Sequence, residues 1–157
     1  MFSDKEKFIE NILKFVDLFV LFLAFPVAYY VDEFIRYITF WNVKAYAIST
    51  SFSGLLYFAE KYWVMFLGFP LIWWGLFLLN RLYQDYRTRP FKNLAWMIFI
   101  TSIWASFVCG SFIFFFKVDM ASRLFFLMYS LTAILLILLE KAILLLILDS
   151  IHSRGYN

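Results

Sequence analysis

Asp17, Glu140 and Lys141 are ionisable residues that lie inside otherwise apolar stretches of this sequence. At membrane depth such groups often form proton relays or ion pathways, which require several ionisable groups along one axis. The chain lacks that series. Because the first and last stretches would enter the membrane from the same side, Asp17 and Lys141 reach comparable depth, and we predict an interhelical structural ion pair between them. The alternative is that both are boundary residues whose side chains extend to the headgroup region.

A second group of candidate residues is basic. Arg87, Arg89 and Lys92 lie close together in the segment between the second and third apolar stretches. Their cationic groups would suit a phosphate or an anionic lipid headgroup at the membrane surface. The alternative is that they only mark the cytoplasmic side of the protein.

Catalytic patterns are otherwise missing from the sequence. Its only histidine is His152, so neither a His-based metal site nor a Ser-His triad can be built. There is no glycine-rich phosphate loop. We therefore predict no catalytic residue and no metal ligand, and in the absence of a basic face we expect no nucleic-acid partner.

The elements that position these residues are predicted to be membrane helices. The chain is 64% hydrophobic and only 16% charged, which leaves too few polar residues to cover a water-exposed surface. Uncharged apolar runs of about 20 residues are long enough to cross a bilayer, and helices satisfy their own backbone groups in lipid. We predict an all-α membrane protein, a bundle of four transmembrane helices spanning about residues 12–31, 62–80, 94–116 and 124–143.

The distribution of Lys and Arg predicts the orientation. These residues are more frequent in both terminal segments and in the loop of residues 81–92 than in the other two loops, so both termini should be cytoplasmic. In the long connection between the first two spans, aromatic and aliphatic residues at positions 34–41 are mixed with charged ones. This mixture favours an interfacial helix, with residues 49–54 as a turn, although a loop lying along the membrane fits as well. Gly68 and Gly75 are seven residues apart on one predicted helix. Small residues at this spacing favour close packing between helices, either within one chain or between the two chains of a homodimer.

Four short segments carry a resemblance to a known family: Phe15 to Tyr30 with its Asp17-Leu18, Tyr86-Arg87-Thr88-Arg89, Ser122-Arg123, and Arg154-Gly155-Tyr156-Asn157. Together they resemble the N-terminal membrane domain of the large, WbaP-like polyprenyl-phosphate glycosyl-1-phosphate transferases, which are bacterial sugar transferases. The resemblance covers nearly the whole chain.

The resemblance implies that residues 1–157 anchor, and also dimerise, a longer enzyme whose soluble and catalytic domains follow. Enzymes of that family pass a sugar-1-phosphate from a nucleotide sugar to undecaprenyl phosphate, in exopolysaccharide or O-antigen synthesis at the bacterial inner membrane. Their Asp-Glu pair and Mg²⁺ belong to the catalytic domain, so no cofactor is expected in this segment. Asp32-Glu33 lacks the surrounding catalytic sequence and lies on the predicted outer side.

Two other functions fit the same sequence. Membrane-bound nucleotide-sugar dehydratases carry a similar four-helix segment, which downstream Gly-rich and Tyr-x-x-x-Lys motifs would identify. A self-standing small channel or transporter subunit is the third option, and a polar helix face lining a water path would favour it.

Overall fold

The computed structural model describes residues 4–40, 52–83, 90–115 and 123–153, and all regular structure in these ranges is helical. There are five helices in this part of the chain: α1 (Asp4–Phe40), α2 (Phe52–Lys61), α3 (Trp63–Leu79), α4 (Phe91–Phe115) and α5 (Arg123–Ser153). The predicted helical class is therefore confirmed. Each of the predicted spans lies in a separate helix, with α1 and α5 extending well beyond the predicted limits.

Three of the helices are long and apolar enough to cross a membrane, over Phe8–Thr39, Phe91–Phe115 and Leu124–Ile147. Their length follows from the sequence, because Pro26 is the one proline in these three runs and α1 continues through it. Membrane helices tolerate an internal proline, since neighbouring groups compensate for the lost hydrogen bond. The three helices indicate a membrane protein.

The second predicted span has a different form. α3 has 17 residues, and it follows α2 after a bend of 77° at a short break. The bent pair passes the length and composition test together, as a broken span or a re-entrant segment. A count of four spans and a cytoplasmic position for both termini thus remain predictions.

The interfacial helix that we predicted over residues 34–41 is not a separate element. α1 continues without a break through Phe40, because nothing after Val31 disrupts a helix. Asp32 and Arg36, one turn apart, form an ion pair of 2.9 Å along this extension. A short helix does lie between the first and second spans, but it is α2, and Gly54 belongs to it instead of to a turn. Residues 41–51 lie outside the described ranges.

The four longer helices form a closed ring, in which α1 packs against α3 and α5, and α4 packs against the same two helices. Aromatic side chains fill the centre. The Phe25 ring of α1 meets Phe66 of α3 and Phe125 of α5 at centroid distances of 5.1 Å, and both pairs are edge-to-face. The buried Tyr129 hydroxyl donates to the Leu21 carbonyl at 3.4 Å. Since lipid offers little hydrophobic drive between helices, such packing holds the bundle together.

α3 and α4 approach each other closely at Gly68. A Cβ atom at this position would lie 2.9 Å from Phe112 Cζ, so only glycine fits there without a shift. A Cβ at Gly75 would meet nothing within 4 Å. Of the two glycines that suggested a packing stripe, Gly68 is therefore the one that forms a tight helix contact.

Candidate functional site

The structure brings Asp17 and Lys141 together inside the bundle. Lys141 Nζ donates to Asp17 Oδ1 at 2.5 Å, and neither side chain is exposed. Nζ also lies 2.9 Å from Oε2 of Glu140, the preceding residue. The ammonium group is thus held between one carboxylate from α1 and one from its own helix, away from the surface where a boundary residue would extend.

Helical spacing explains why these charged residues face inward. Asp17 and Lys141 continue rows of buried residues at intervals of three or four, which is the repeat of one helix face. The rows contain Leu13, Asp17, Leu21, Ala24 and Ala28 on α1, and Phe125, Tyr129, Ala133, Ile137 and Lys141 on α5. Because α1 and α5 pack against each other, the two rows meet and so do their charged members.

Tyr83 completes the charge cluster of Asp17, Glu140, Lys141 and Tyr83. Lys141 Nζ lies 5.7 Å from the centroid of the Tyr83 ring, within the range of a cation–π contact. Burial, followed by the negative charges of Asp17 and Glu140, raises the pKa of the Tyr83 hydroxyl. The phenol therefore stays neutral beside the two carboxylates.

A tight turn after α3 directs Tyr83 to this place. Arg81 has a left-handed φ of 51°, Leu82 N–H donates to the Phe77 carbonyl, and Arg81 N–H donates to the Leu78 carbonyl. This is the Schellman pattern that ends many helices. Tyr83 was not predicted as a site residue, because a tyrosine in a basic turn belongs to no periodic pattern of apolar residues. The nearest indication in the sequence is the neighbouring Leu82, an apolar residue that follows the charged Arg81.

A second ion pair lies at the same level of α1, where Lys14 and Glu10 are 2.8 Å apart and partly exposed. The Trp74 indole N–H of α3 donates to the Lys14 carbonyl at 3.0 Å. The Lys14 ammonium is 5.9 Å from the Tyr83 ring centroid, on the same ring as Lys141. Helices α1, α3 and α5 are thus joined by polar contacts at one depth.

Several oxygens of the charge cluster lack hydrogen-bond partners in the described part of the chain. They are Asp17 Oδ2, Glu140 Oε1 and the Tyr83 hydroxyl oxygen, all buried. Tyr83 and Glu140 each interact with the Asp17 side chain, so these groups act on one another within the cluster.

Of the three basic residues predicted to bind a headgroup, the structure describes one. Lys92 is exposed in the first turn of α4, and Arg87 and Arg89 lie outside the described residues. Asp32 is buried at the other end of α1, where Arg36 pairs with it. Among the described residues no group of three or more His, Cys, Asp or Glu side chains could hold a metal ion.

Two of the cavities between the described helices lie along apolar spans. One, of about 650 Å³, lies between α4 and α5 and is lined by serine, phenylalanine and isoleucine side chains, including Ser102, Ser106 and Phe126. The other, which we call the α1–α5 groove, has about 390 Å³ and is aliphatic except for Glu140. The charge cluster therefore borders the α1–α5 groove through Glu140.

The helices that are long and apolar enough to cross a bilayer place this protein in the class of α-helical membrane proteins. Comparison with protein families matches residues 79–157, the second half of the chain, to the family described as a CoA-binding domain. This chain belongs to that family, a domain found in sugar transferase families. No curated protein and no solved structure matches the chain. The resemblance to sugar transferases is thus confirmed at the level of this domain.

Proposed function

We propose that this chain is the membrane-anchoring domain of a phosphoglycosyl transferase, a bacterial enzyme that passes a sugar-1-phosphate from a nucleotide sugar to undecaprenyl phosphate. The observation that carries the proposal is that the segment matching a sugar-transferase-associated domain contains α4 and α5, two apolar helices long enough to span a membrane. The short motifs that resemble the WbaP-like enzymes supply the narrower assignment. The domain belongs, on this proposal, to the bacterial inner membrane.

An anchoring role fits the chemistry of the described residues. Their polar side chains mostly serve the helices themselves: Ser102 and Ser111 each donate to a carbonyl one turn earlier, and Ser106 reaches Ser130 of α5 at 3.2 Å. The first kind of bond satisfies the hydroxyl within its own helix, the second joins two helices, and neither forms a reaction centre. Catalysis is assigned to domains that follow this segment, and Mg²⁺ to those domains.

The role proposed for Asp17 and Lys141 is to fix α1 against α5. Without Lys141 the Asp17 carboxylate would be an uncompensated buried charge, and without Asp17 the Lys141 ammonium would keep only Glu140 of its own helix, so the interhelical pair favours one arrangement of the two helices. α5 is also the helix that leads toward the segment's end at Asn157. The ion pair would thereby orient whatever domain α5 carries.

Coenzyme A itself does not fit the described residues of the matched segment. Its phosphates require cationic or backbone donors in an accessible pocket. Lys141 is buried and occupied by carboxylates, Arg81 and Lys92 are exposed on the surface, and the cavity between α4 and α5 is lined by uncharged residues. The proposed function therefore includes no step that uses CoA.

The proposal is tested by the reading frame beyond Asn157 and by the activity of the complete chain. We expect a Rossmann-like domain and then an Asp-Glu-bearing domain, with transfer of labelled sugar phosphate to undecaprenyl phosphate in membranes. Deleting residues 1–157 should move the protein from the membrane to the soluble fraction and lower the transfer to added lipid. A dehydratase signature downstream, or a stop codon after Asn157, would contradict the transferase assignment.

A further inference from the structure

The bend between α2 and α3 lies next to two charged residues. Glu60 and Lys61 end α2, and both side chains are exposed on the surface. From Tyr62 to Asn80 no residue is charged, and Arg81 follows. This uncharged segment has about 20 residues, the number that crosses a hydrocarbon core of about 30 Å. The bend therefore lies at one end of a stretch that is long enough to span a membrane.

The position of these charges decides which form the bent pair takes. In a re-entrant segment, or in a span broken near its centre, the bend is at or near the deepest point in the membrane. Glu60 and Lys61, whose side chains are exposed, would then face hydrocarbon, which is costly for ionised groups. A bend at the membrane surface avoids this cost and leaves α3 as the crossing helix.

The contacts of α3 support a crossing by this helix alone. Near its start, the Phe66 ring meets Phe25 of α1 at a centroid distance of 5.1 Å. At its other end, the turn that follows α3 places the Tyr83 ring 5.7 Å from Lys141 Nζ. α3 and its final turn thus extend from the aromatic centre of the bundle to the level of the charge cluster, beside the long spans α1 and α5.

α2 lies at the other end of the bundle from the charge cluster. Its Phe58 ring lies 4.9 Å from the ring of Tyr29 on α1 and 4.9 Å from that of Phe125 on α5. Tyr29 is three positions before Asp32, and α5 begins at Arg123, two positions before Phe125. α2 is therefore close to the points where the uncharged runs of α1 and α5 end. Because it makes an angle of 77° with α3, α2 is nearly parallel to the plane of a membrane that α3 crosses.

The residues of α2 differ between the sides of the helix as in a helix at a lipid surface. One side packs against the core and contains Leu55, Phe58 and Ala59. By the 3.6-residue repeat, the exposed Ser53 and Glu60 lie on the opposite side. Leu56 and Tyr57, each more than half exposed, flank this polar side. An apolar side toward the bundle, a polar side toward water and an aromatic ring between them are typical of interfacial helices.

We propose that α2 lies flat on the bilayer surface and binds the phospholipid headgroup region, while α3 crosses the bilayer without it. The lipid interface fits this surface, because Leu56 and Tyr57 match the boundary between headgroups and acyl chains while Glu60 stays in water. Phe58 also joins α1 to α5 at this end of the bundle, as the charge cluster does at the other. The inference does not depend on the sugar-transferase assignment.

Spin labels at three sites measure the depth of each part. Leu56→Cys, Glu60→Cys and Leu71→Cys are each labelled with a thiol-specific nitroxide in the purified chain, in phosphatidylcholine nanodiscs. Collisions of the label with oxygen, which concentrates in lipid, are compared with collisions with a water-soluble nickel chelate. All three sites are exposed, so the labels should not disturb the core. Cys109 is buried, and the unmodified chain serves as the control for its labelling.

The ratio of nickel to oxygen collisions should fall from Glu60 to Leu56 and again to Leu71, which lies in the middle of α3. A label at Glu60 that is as deep as the label at Leu71 would place the bend inside the hydrocarbon and overturn the proposal. Equal and full access of nickel to Glu60 and Leu56 would mean that α2 lies off the lipid, which would overturn the contact with the headgroup region.

Discussion

At the scale of single residues, the bundle depends on a fully buried ammonium group. Lys141 is completely inaccessible and is held by Asp17 and Glu140. Forming such a pair contributes little free energy, because the desolvation of the two charges offsets their attraction. Breaking it leaves one charge buried in a medium that cannot solvate it. Removing both partners should therefore cost less stability than the two single losses combined.

A double-mutant cycle measures this dependence. Lys141→Met and Asp17→Asn should each destabilise the bundle, with Lys141→Met costing about 3 kcal/mol or more because Asp17 stays buried and unpaired. The double variant should be less harmful than the sum of the single ones. Unfolding in nanodiscs or mild detergent gives the free energies. The control is Glu10→Gln, which breaks the partly exposed pair with Lys14 and should cost less than about 1 kcal/mol. Strictly additive losses of stability for the Asp17 and Lys141 variants would show that these two residues do not interact.

We expect the stability of the protein to fall at alkaline pH because of Tyr83. Its pKa is raised by burial, while in the unfolded chain it ionises near the usual value of about 10. Above that pH the unfolded chain binds fewer protons than the folded one, so the free energy of unfolding falls as pH rises. The Tyr83→Phe variant should lose less stability between about pH 8 and 11 than the unmodified chain, as followed by thermal unfolding. Tyr57→Phe, at an exposed site, should retain the full decline, and identical curves for all three proteins would contradict the role of Tyr83.

At the scale of elements, the sequence predicted well which segments form helices, but it predicted poorly which helices contact one another and where. Apolar runs long enough to span a bilayer identify helices directly, and the depth argument for Asp17 and Lys141 pointed to a pair that the structure places in contact. The extension of α1 to Phe40 was missed because mixed aromatic and charged residues occur both at interfaces and at helix ends. The contact of Gly68 with Phe112, and the place of Tyr83, depend on how helices pack, which hydropathy does not encode.

Gly68 sets the distance between α3 and α4. Gly68→Ala would place its Cβ 2.9 Å from the Phe112 ring, and the resulting strain should cost about 1–3 kcal/mol. Gly75→Ala is the matched control on the same helix, where space is open and alanine should be neutral or favourable by up to about 1 kcal/mol. Thermal unfolding of both variants checks this, and Phe112→Leu should partly rescue Gly68→Ala. If Gly68→Ala and Gly75→Ala behave alike, α3 and α4 are not in close contact at Gly68.

At the scale of the whole molecule, α1, α3, α4 and α5 form a ring, and the charge cluster lies at one level of it. The charge cluster ties α1 to α5 and receives Tyr83 from the end of α3, so three helices are aligned at one depth. A domain carried after α5 would inherit this alignment. That role requires α5 to end on the cytoplasmic side, where a nucleotide sugar is found.

The position of the two termini tests the anchoring account most directly. Green fluorescent protein or alkaline phosphatase is fused before Met1 or after Asn157, and each fusion is assayed in cells. Green fluorescent protein is fluorescent only in the cytoplasm, and alkaline phosphatase is active only outside it. If α2 and α3 together cross the membrane, the number of spans is even, and both termini should report the cytoplasm. Termini on opposite sides would mean three spans, with α2 and α3 re-entrant, and an α5 that ends outside the cytoplasm would contradict the proposed anchor for a cytoplasmic transferase.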